Sequence, residues 1–280
     1  MSVKTILLFR SKPDDASSDD VYEKLLSDHG YHVKTVSPIQ FRFINMDLLS
    51  TKLQSNDYHG LIFTSKRAVE AVQRVLTDND RQRLQRIYVE GPATGALVQE
   101  IFESTAKILG AESGGSECLA KFIIKDVEGT EGTVNLLFPC AQARLDILPR
   151  RLSSAQGDSN RFESKLSFIV LLLLVAIHLD EILVYETTPS DSLEHDLNEY
   201  LKDHGRPNAV GFFSPSGFDS VFRASQRIGF DLTNNKTVLI SLGKTTSAAI
   251  RNCLDSSPFD ERSCLKPTAD EFLRVVQSIE

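Results

Sequence analysis

Short runs of β-branched and aromatic apolar residues alternate along the chain with stretches whose apolar positions recur at helical spacing. That alternation predicts parallel strands linked by crossover helices, so the expected fold class is α/β. The strands are placed at Val3 to Phe9, His32 to Val36, Gly60 to Phe63, Ile87 to Val89, Thr133 to Phe138, Glu181 to Tyr185, Ala209 to Phe213 and Thr237 to Leu242. Each runs into a turn or a helix start. Ser263 to Leu265 reads as a further short strand ahead of Pro267, and Ala269 to Ile279 as the closing helix.

The strand ends repeat. GLIFTSKRAVEAV (Gly60 to Val72) is followed by YVEGPATGALV (Tyr88 to Val98), and VGFFSPSGFDSV (Val210 to Val221) by ISLGKTTSAAI (Ile240 to Ile250). In both halves a strand ends in Phe-x-Ser and leads into a helix, and the next strand ends in Gly-x-x-Thr and opens another. Two similar domains are therefore expected, each a parallel sheet flanked by helices. Pro38 and Pro189 stand where strand-like sequence turns helix-opening, and they mark crossings between the domains. Residues 1–37 with 189–280 would form one discontinuous domain, and 38–188 the other.

One run breaks the pattern. Leu166 to Leu179 (LSFIVLLLLVAIHL) is the most apolar stretch, preceded by the polar piece Ser153 to Lys165. Its 14 residues fall short of the about 20 that span a bilayer, so a buried strand or core helix is expected and no stable membrane contact.

Composition narrows the class. A chain of 280 residues with 41% hydrophobic and 25% charged residues is globular, with room for two cores. Thirty-one Lys and Arg against 38 Asp and Glu leave a net charge of −7, which argues against a broad basic face for nucleic acid. An anionic ligand would need local attraction. Cys118, Cys140, Cys253 and Cys264 show no CxxC spacing, and MSVKTILLFRSK reads as a first strand rather than a signal peptide. A reducing cytoplasm is the expected setting.

Four junctions place hydroxyls and small residues where a strand opens a helix: Thr64-Ser65, Gly91 to Thr94, Ser214 to Gly217 and Gly243 to Thr246, with Thr245 among them. The first N–H groups of a helix lack partners and attract carboxylate or phosphate. Ser and Thr are also ordinary N-caps, and capping alone accounts for any single junction. Four of them at corresponding strand ends fit ligand binding outside the carboxyl ends of parallel strands. Gly243-Lys244-Thr245 is not a phosphate loop, because Val238 stands where that motif needs its first glycine. No Gly-x-Gly-x-x-Gly fingerprint follows Phe9, no Gly-x-Ser-x-Gly elbow occurs, and the six scattered histidines suggest no metal site. Tyr185 ends its strand just before a crossing. A phenol there can give a proton or hydrogen bond to a leaving oxygen, or simply be an amphipathic aromatic at a domain edge.

Taken together, YHGLIFTSKRAVEAV (Tyr58 to Val72), LLFPC (Leu136 to Cys140), ILPRRL (Ile147 to Leu152), VYETTP (Val184 to Pro189), GFFSPSG (Gly211 to Gly217) and GKTTSAAI (Gly243 to Ile250) resemble the uroporphyrinogen-III synthases of animals, in order and spacing over nearly the whole chain. The resemblance implies a cofactor-free lyase of haem synthesis. Such an enzyme takes the linear tetrapyrrole hydroxymethylbilane, expels its terminal hydroxyl as water, inverts the last ring and closes the macrocycle. It implies two α/β domains joined by a two-strand linker, with the active site in the cleft between them. A monomer, with transient hand-over of substrate from hydroxymethylbilane synthase, is expected. By the same resemblance Tyr185 would assist loss of the hydroxyl, and Ser65, Thr94, Ser214 and Thr246 would bind substrate. Lys66 and Lys244 stand where relatives often have proline, and would add cations beside the carboxylate sites. An extra stretch at about 158–177 departs from the family's spacing. The competing class is a two-domain binding protein for a small anionic ligand, without turnover.

Overall fold

The computed structural model describes residues 4–11, 20–55, 57–103, 105–130, 132–144, 146–154, 176–233, 236–254 and 259–279. Val3, most of the polar piece 153–165, residues 166–175 of the apolar run and most of the extra stretch at 158–177 lie outside the described residues. The chain divides into two compact units, one of Met1–Gln40 with Thr188–Glu280 and one of Phe41–Thr187.

In chain order the elements begin with β1 (Thr5–Phe9), α1 (Val21–Asp28), β2 (His32–Val36), β3 (Ile39–Phe43), α2 (Met46–Gln54), β4 (Gly60–Phe63), α3 (Lys66–Gln73) and α4 (Asp78–Arg83). They continue through β5 (Arg86–Val89), α5 (Pro92–Phe102), β6 (Lys107–Leu109), α6 (Ser116–Asp126), β7 (Thr133–Ala141), α7 (Ile147–Ser154) and β8 (Ala176–Pro189). The remainder are α8 (Leu193–His204), β9 (Ala209–Phe212), α9 (Pro215–Arg227), β10 (Val238–Ser241), α10 (Lys244–Leu254), β11 (Asp260–Ser263) and α11 (Ala269–Gln277).

The first unit holds a five-stranded sheet in the order β11-β10-β9-β1-β2, every pair parallel. Its central strands are apolar on both faces because helices cover both. Successive side chains alternate: Leu7 and Phe9 join Val210, Phe212 and Leu239 in one core, while Ile6 and Leu8 join Ile240 and Phe272 in the other. The second unit holds β3-β8-β7-β4-β5-β6 and alternates in the same way, with Leu61 and Phe63 against Ile62. Gly60 is required there, since a Cβ would meet the Arg86 carbonyl oxygen at 2.5 Å.

The two sheets share one order. Read as β2-β1-β9-β10-β11 and β8-β7-β4-β5-β6, each is a doubly wound 2-1-3-4-5 sheet, with the first two strands coming last along the chain in the second unit. The repeat seen in the sequence is the β4-α3, β5-α5 portion of one against the β9-α9, β10-α10 portion of the other. In both, the order reverses beside the strand carrying Phe-x-Ser: between β1 and β9, and between β7 and β4.

Three features were not legible. Strand β3 (IQFRF) is an edge strand with no fully buried residue. The Ser190 N–H donates to the Pro38 carbonyl and the Ile44 N–H to the Val184 carbonyl, so β3 runs antiparallel to β8 and the sheet is mixed at that edge. Strand β6 has three residues, too few for a pattern. The last strand lies at Asp260–Ser263, earlier than the expected Ser263 to Leu265. Its polar sequence DERS holds an edge because Glu261 accepts from the Ser241 hydroxyl at 2.7 Å and from Arg251 at 2.7 Å.

Strand β8 is also longer than expected. Ala176 and Ile177, placed by the sequence in the extra stretch, pair with Thr133 and Val134 of β7, and Ile177 is buried in the core beneath α6 and α7.

Candidate functional site

In the second unit the chain reverses at the carboxyl end of β4. Ser65 is extended (φ −156°, ψ 148°) and its Oγ accepts from the Ala68 N–H at 3.3 Å, capping α3. Tyr185 approaches from β8, where a bulge opposite Cys140 and Ala141 interrupts the ladder. The bulge turns Tyr185 onto the face that carries Ile182 and Val184, the α3 side, instead of leaving it with Leu183 on the other. The buried Tyr185 phenol donates to Ser65 Oγ at 3.0 Å. With both lone pairs of Ser65 engaged, by the Ala68 N–H and the phenol, its own O–H is directed away from both as a donor.

The surroundings are aromatic and cationic. The Phe41 ring lies edge-on to Tyr185, with centroids 6.1 Å apart, and the Arg67 guanidinium sits 4.7 Å above Phe41 while pairing with Glu70 at 2.8 Å. Lys66 is exposed at the first position of α3. On the neighbouring strand β5, Gly91 (φ 85°) caps α5, Pro92 opens it, and Thr94 follows, 6% exposed.

Two other phenols behave differently. Tyr58 donates to Asp180 and Tyr88 to Asp126, and burial together with the carboxylate pushes both well above the ordinary phenol range. They hold their protons and serve packing. Tyr185 instead donates to a neutral hydroxyl.

The first unit repeats the arrangement. Ser214 is extended (φ −153°, ψ 154°) and its Oγ accepts from the Gly217 N–H at 3.0 Å. Gly217 fits closely there, since a Cβ would lie 3.0 Å from that Oγ and 3.1 Å from Pro38, tighter than ordinary contact. At the end of β10, Lys244 and Thr245 are exposed and Thr246 is 2% exposed. Thr94 and Thr246, the last residues of the two Gly-x-x-Thr segments, are thus both buried, and Thr245 carries the accessible hydroxyl.

The structure therefore brings Tyr185 and Ser65 into contact, with Lys66 and Thr94 at the same and the adjoining strand end. Ser214, Lys244, Thr245 and Thr246 take the corresponding ends in the first unit. Sequence reading missed Phe41, whose alternation in IQFRF was the available signal, and Arg67, directly after Lys66. Among the described residues no group of three or more His, Cys, Asp or Glu is placed to hold a metal, and no helix is long and apolar enough to cross a membrane.

Two doubly wound units, each with polar helix starts at the carboxyl ends of its strands, define a two-unit α/β protein. The family model of uroporphyrinogen-III synthase HemD matches residues 20–163 and 171–254, and the chain belongs to that family of cyclising lyases. It is 25% identical over 228 residues to a uroporphyrinogen-III synthase of Schizosaccharomyces pombe, covering 78% of this chain and 80% of that one. Among solved structures it is similar to a mutant uroporphyrinogen III synthase of Thermus thermophilus, at 12% identity and TM-score 0.47 over 99% of this chain and 100% of the other. A second Thermus thermophilus structure gives 11% identity and TM-score 0.40 over 99% of each.

Proposed function

We propose that this chain converts hydroxymethylbilane to uroporphyrinogen III, and that Tyr185 and Ser65 deliver the proton that lets the terminal hydroxyl leave. The observation that carries this is the 3.0 Å contact from the phenol to Ser65 Oγ. As the substrate's C–O bond breaks, Ser65 passes its proton to the departing oxygen and takes one from Tyr185, giving water. The proton later lost from the attacking pyrrole carbon restores the phenol. Acid help of this kind is needed only at the first step. The substrate also closes unaided without inversion, so the remaining task is to hold the geometry that inverts the last ring.

The substrate's eight carboxylates are the handles. Helix-start N–H groups at Ser65, Thr94, Ser214 and Thr246, the Thr245 hydroxyl and the Lys66 and Lys244 cations bind them, each charge at a helix start contributing roughly 0.3–1 kcal/mol. We place the enzyme in the cytoplasm as a monomer, receiving its short-lived substrate from hydroxymethylbilane synthase, without metal or cofactor.

The pair is tested by a cycle of Tyr185→Phe, Ser65→Ala and both together. A relay predicts that the double variant is little slower than the worse single one, whereas independent roles predict that the losses multiply.

Lys66 offers a separate check. A cation at the first position of a helix opposes the macrodipole, and the first unit has Pro215 at the equivalent place after a Ser214 of nearly the same backbone angles as Ser65. Lys66→Pro should therefore keep or raise stability, by up to about 1 kcal/mol, while raising KM about threefold or more through loss of one carboxylate contact. Lower stability with unchanged KM would remove Lys66 from the binding set.

A further inference from the structure

Resting on the synthase reading above, we propose that Arg10 is a substrate-binding residue, gripping one carboxylate of the bilane at the carboxyl edge of the first unit's sheet. The register puts it there. Phe9 pairs with Val36 on one side and Phe212 on the other, and Phe212 pairs with Ser241. One residue on, Ser37, Arg10, Phe213 and Leu242 therefore form a row, immediately before Ser214 and Gly243. Arg10 lies at the reversal between β1 and β9, where ligands of such sheets bind.

The side chain is held as a flat plate. Its guanidinium lies 4.7 Å from the Tyr22 ring centroid and 4.9 Å from that of Phe213, the residue adjoining the Ser214 cap. Asp20, fixed by accepting from the Tyr22 and Glu23 N–H groups at 2.9 and 3.2 Å, takes one bond from Arg10 Nη1 at 3.2 Å. Among the described residues Nε and Nη2 have no acceptor, and the side chain keeps 21% of its exposure. That edge is the pair of donors that meets a carboxylate in two parallel bonds. Two rings and one carboxylate set its direction in advance, so little side-chain freedom is lost on binding. Lysine could supply the charge but not the fork.

The experiment measures KM, kcat and the salt dependence of KM for the parent chain, R10Q and R10K with hydroxymethylbilane, alongside thermal unfolding. Removing a charge-assisted contact in a part-exposed site should raise KM roughly 5- to 50-fold in R10Q, with kcat within about twofold and a shallower dependence of log KM on log salt. R10K should fall between R10Q and the parent. A folded R10Q with the parent's KM overturns the proposal. If R10Q does not fold, R10K decides, and a KM equal to the parent's overturns it. Failure of the parent to form type III product above the protein-free rate would instead overturn the synthase reading, so the two failures are distinct.

Discussion

Tyr185→Phe is expected to slow formation of the type III isomer by about 10- to 100-fold, at or below the low end of the roughly 10²- to 10⁴-fold that a positioned acid contributes. The low end applies because Ser65 keeps its own proton and water can reload it. Folding should survive. The ring still packs against Phe41 and the core beneath α3, and what disappears is the bond to Ser65 Oγ. Such a bond between neutral groups contributes about 0.5–1.5 kcal/mol. KM should change little, because the phenol helps a bond break rather than holding a carboxylate. Rates of the purified variant, compared with its unfolding curve, check this, and an unchanged rate in a folded protein removes Tyr185 from the chemistry.

The second large effect separates two deletions that differ by two residues. In the first unit the connection from α1 to β2 takes three residues, His29 to Tyr31. The equivalent connection in the second unit runs from Ser154, the end of α7, to Ala176, the start of β8. Deleting 158–175 leaves Ala155, Gln156 and Gly157 to make the same turn, so fold and activity should be kept. Deleting 158–177 also removes Ala176 and Ile177, which pair with Thr133 and Val134. Ile177 is 2% exposed, and emptying such a site costs about 2–5 kcal/mol. The longer deletion should give insoluble or loosely folded protein. Soluble yield and urea midpoint compare them directly, and equal stability of the two would show that β8 needs no residues before His178.

The fold was legible wherever helices bury both faces of a strand. Gly60–Phe63 and Ala209–Phe212 read as unbroken apolar runs because neither face meets water. Edge strands obey no such rule, which is why IQFRF and DERS escaped notice: one has no fully buried residue, and the other is held by Glu261 and its partners. The candidate site was legible as residue types at strand ends, since Ser-capped helix starts repeat in the sequence. What could not be read was direction. The bulge that turns Tyr185 toward Ser65 leaves no mark in EILVYE, and Gly-x-x-Thr does not reveal that its threonine faces inward while Thr245 faces out. Arg10 was hidden for the same reason, because its neighbours Tyr22 and Phe213 are distant in sequence.

The most direct measurement is the isomer composition of the product. Purified chain, treated with chelator and supplied with hydroxymethylbilane alone, should yield predominantly uroporphyrinogen III, at a rate well above spontaneous closure to the type I isomer. A product mixture identical to that formed without protein would contradict the account.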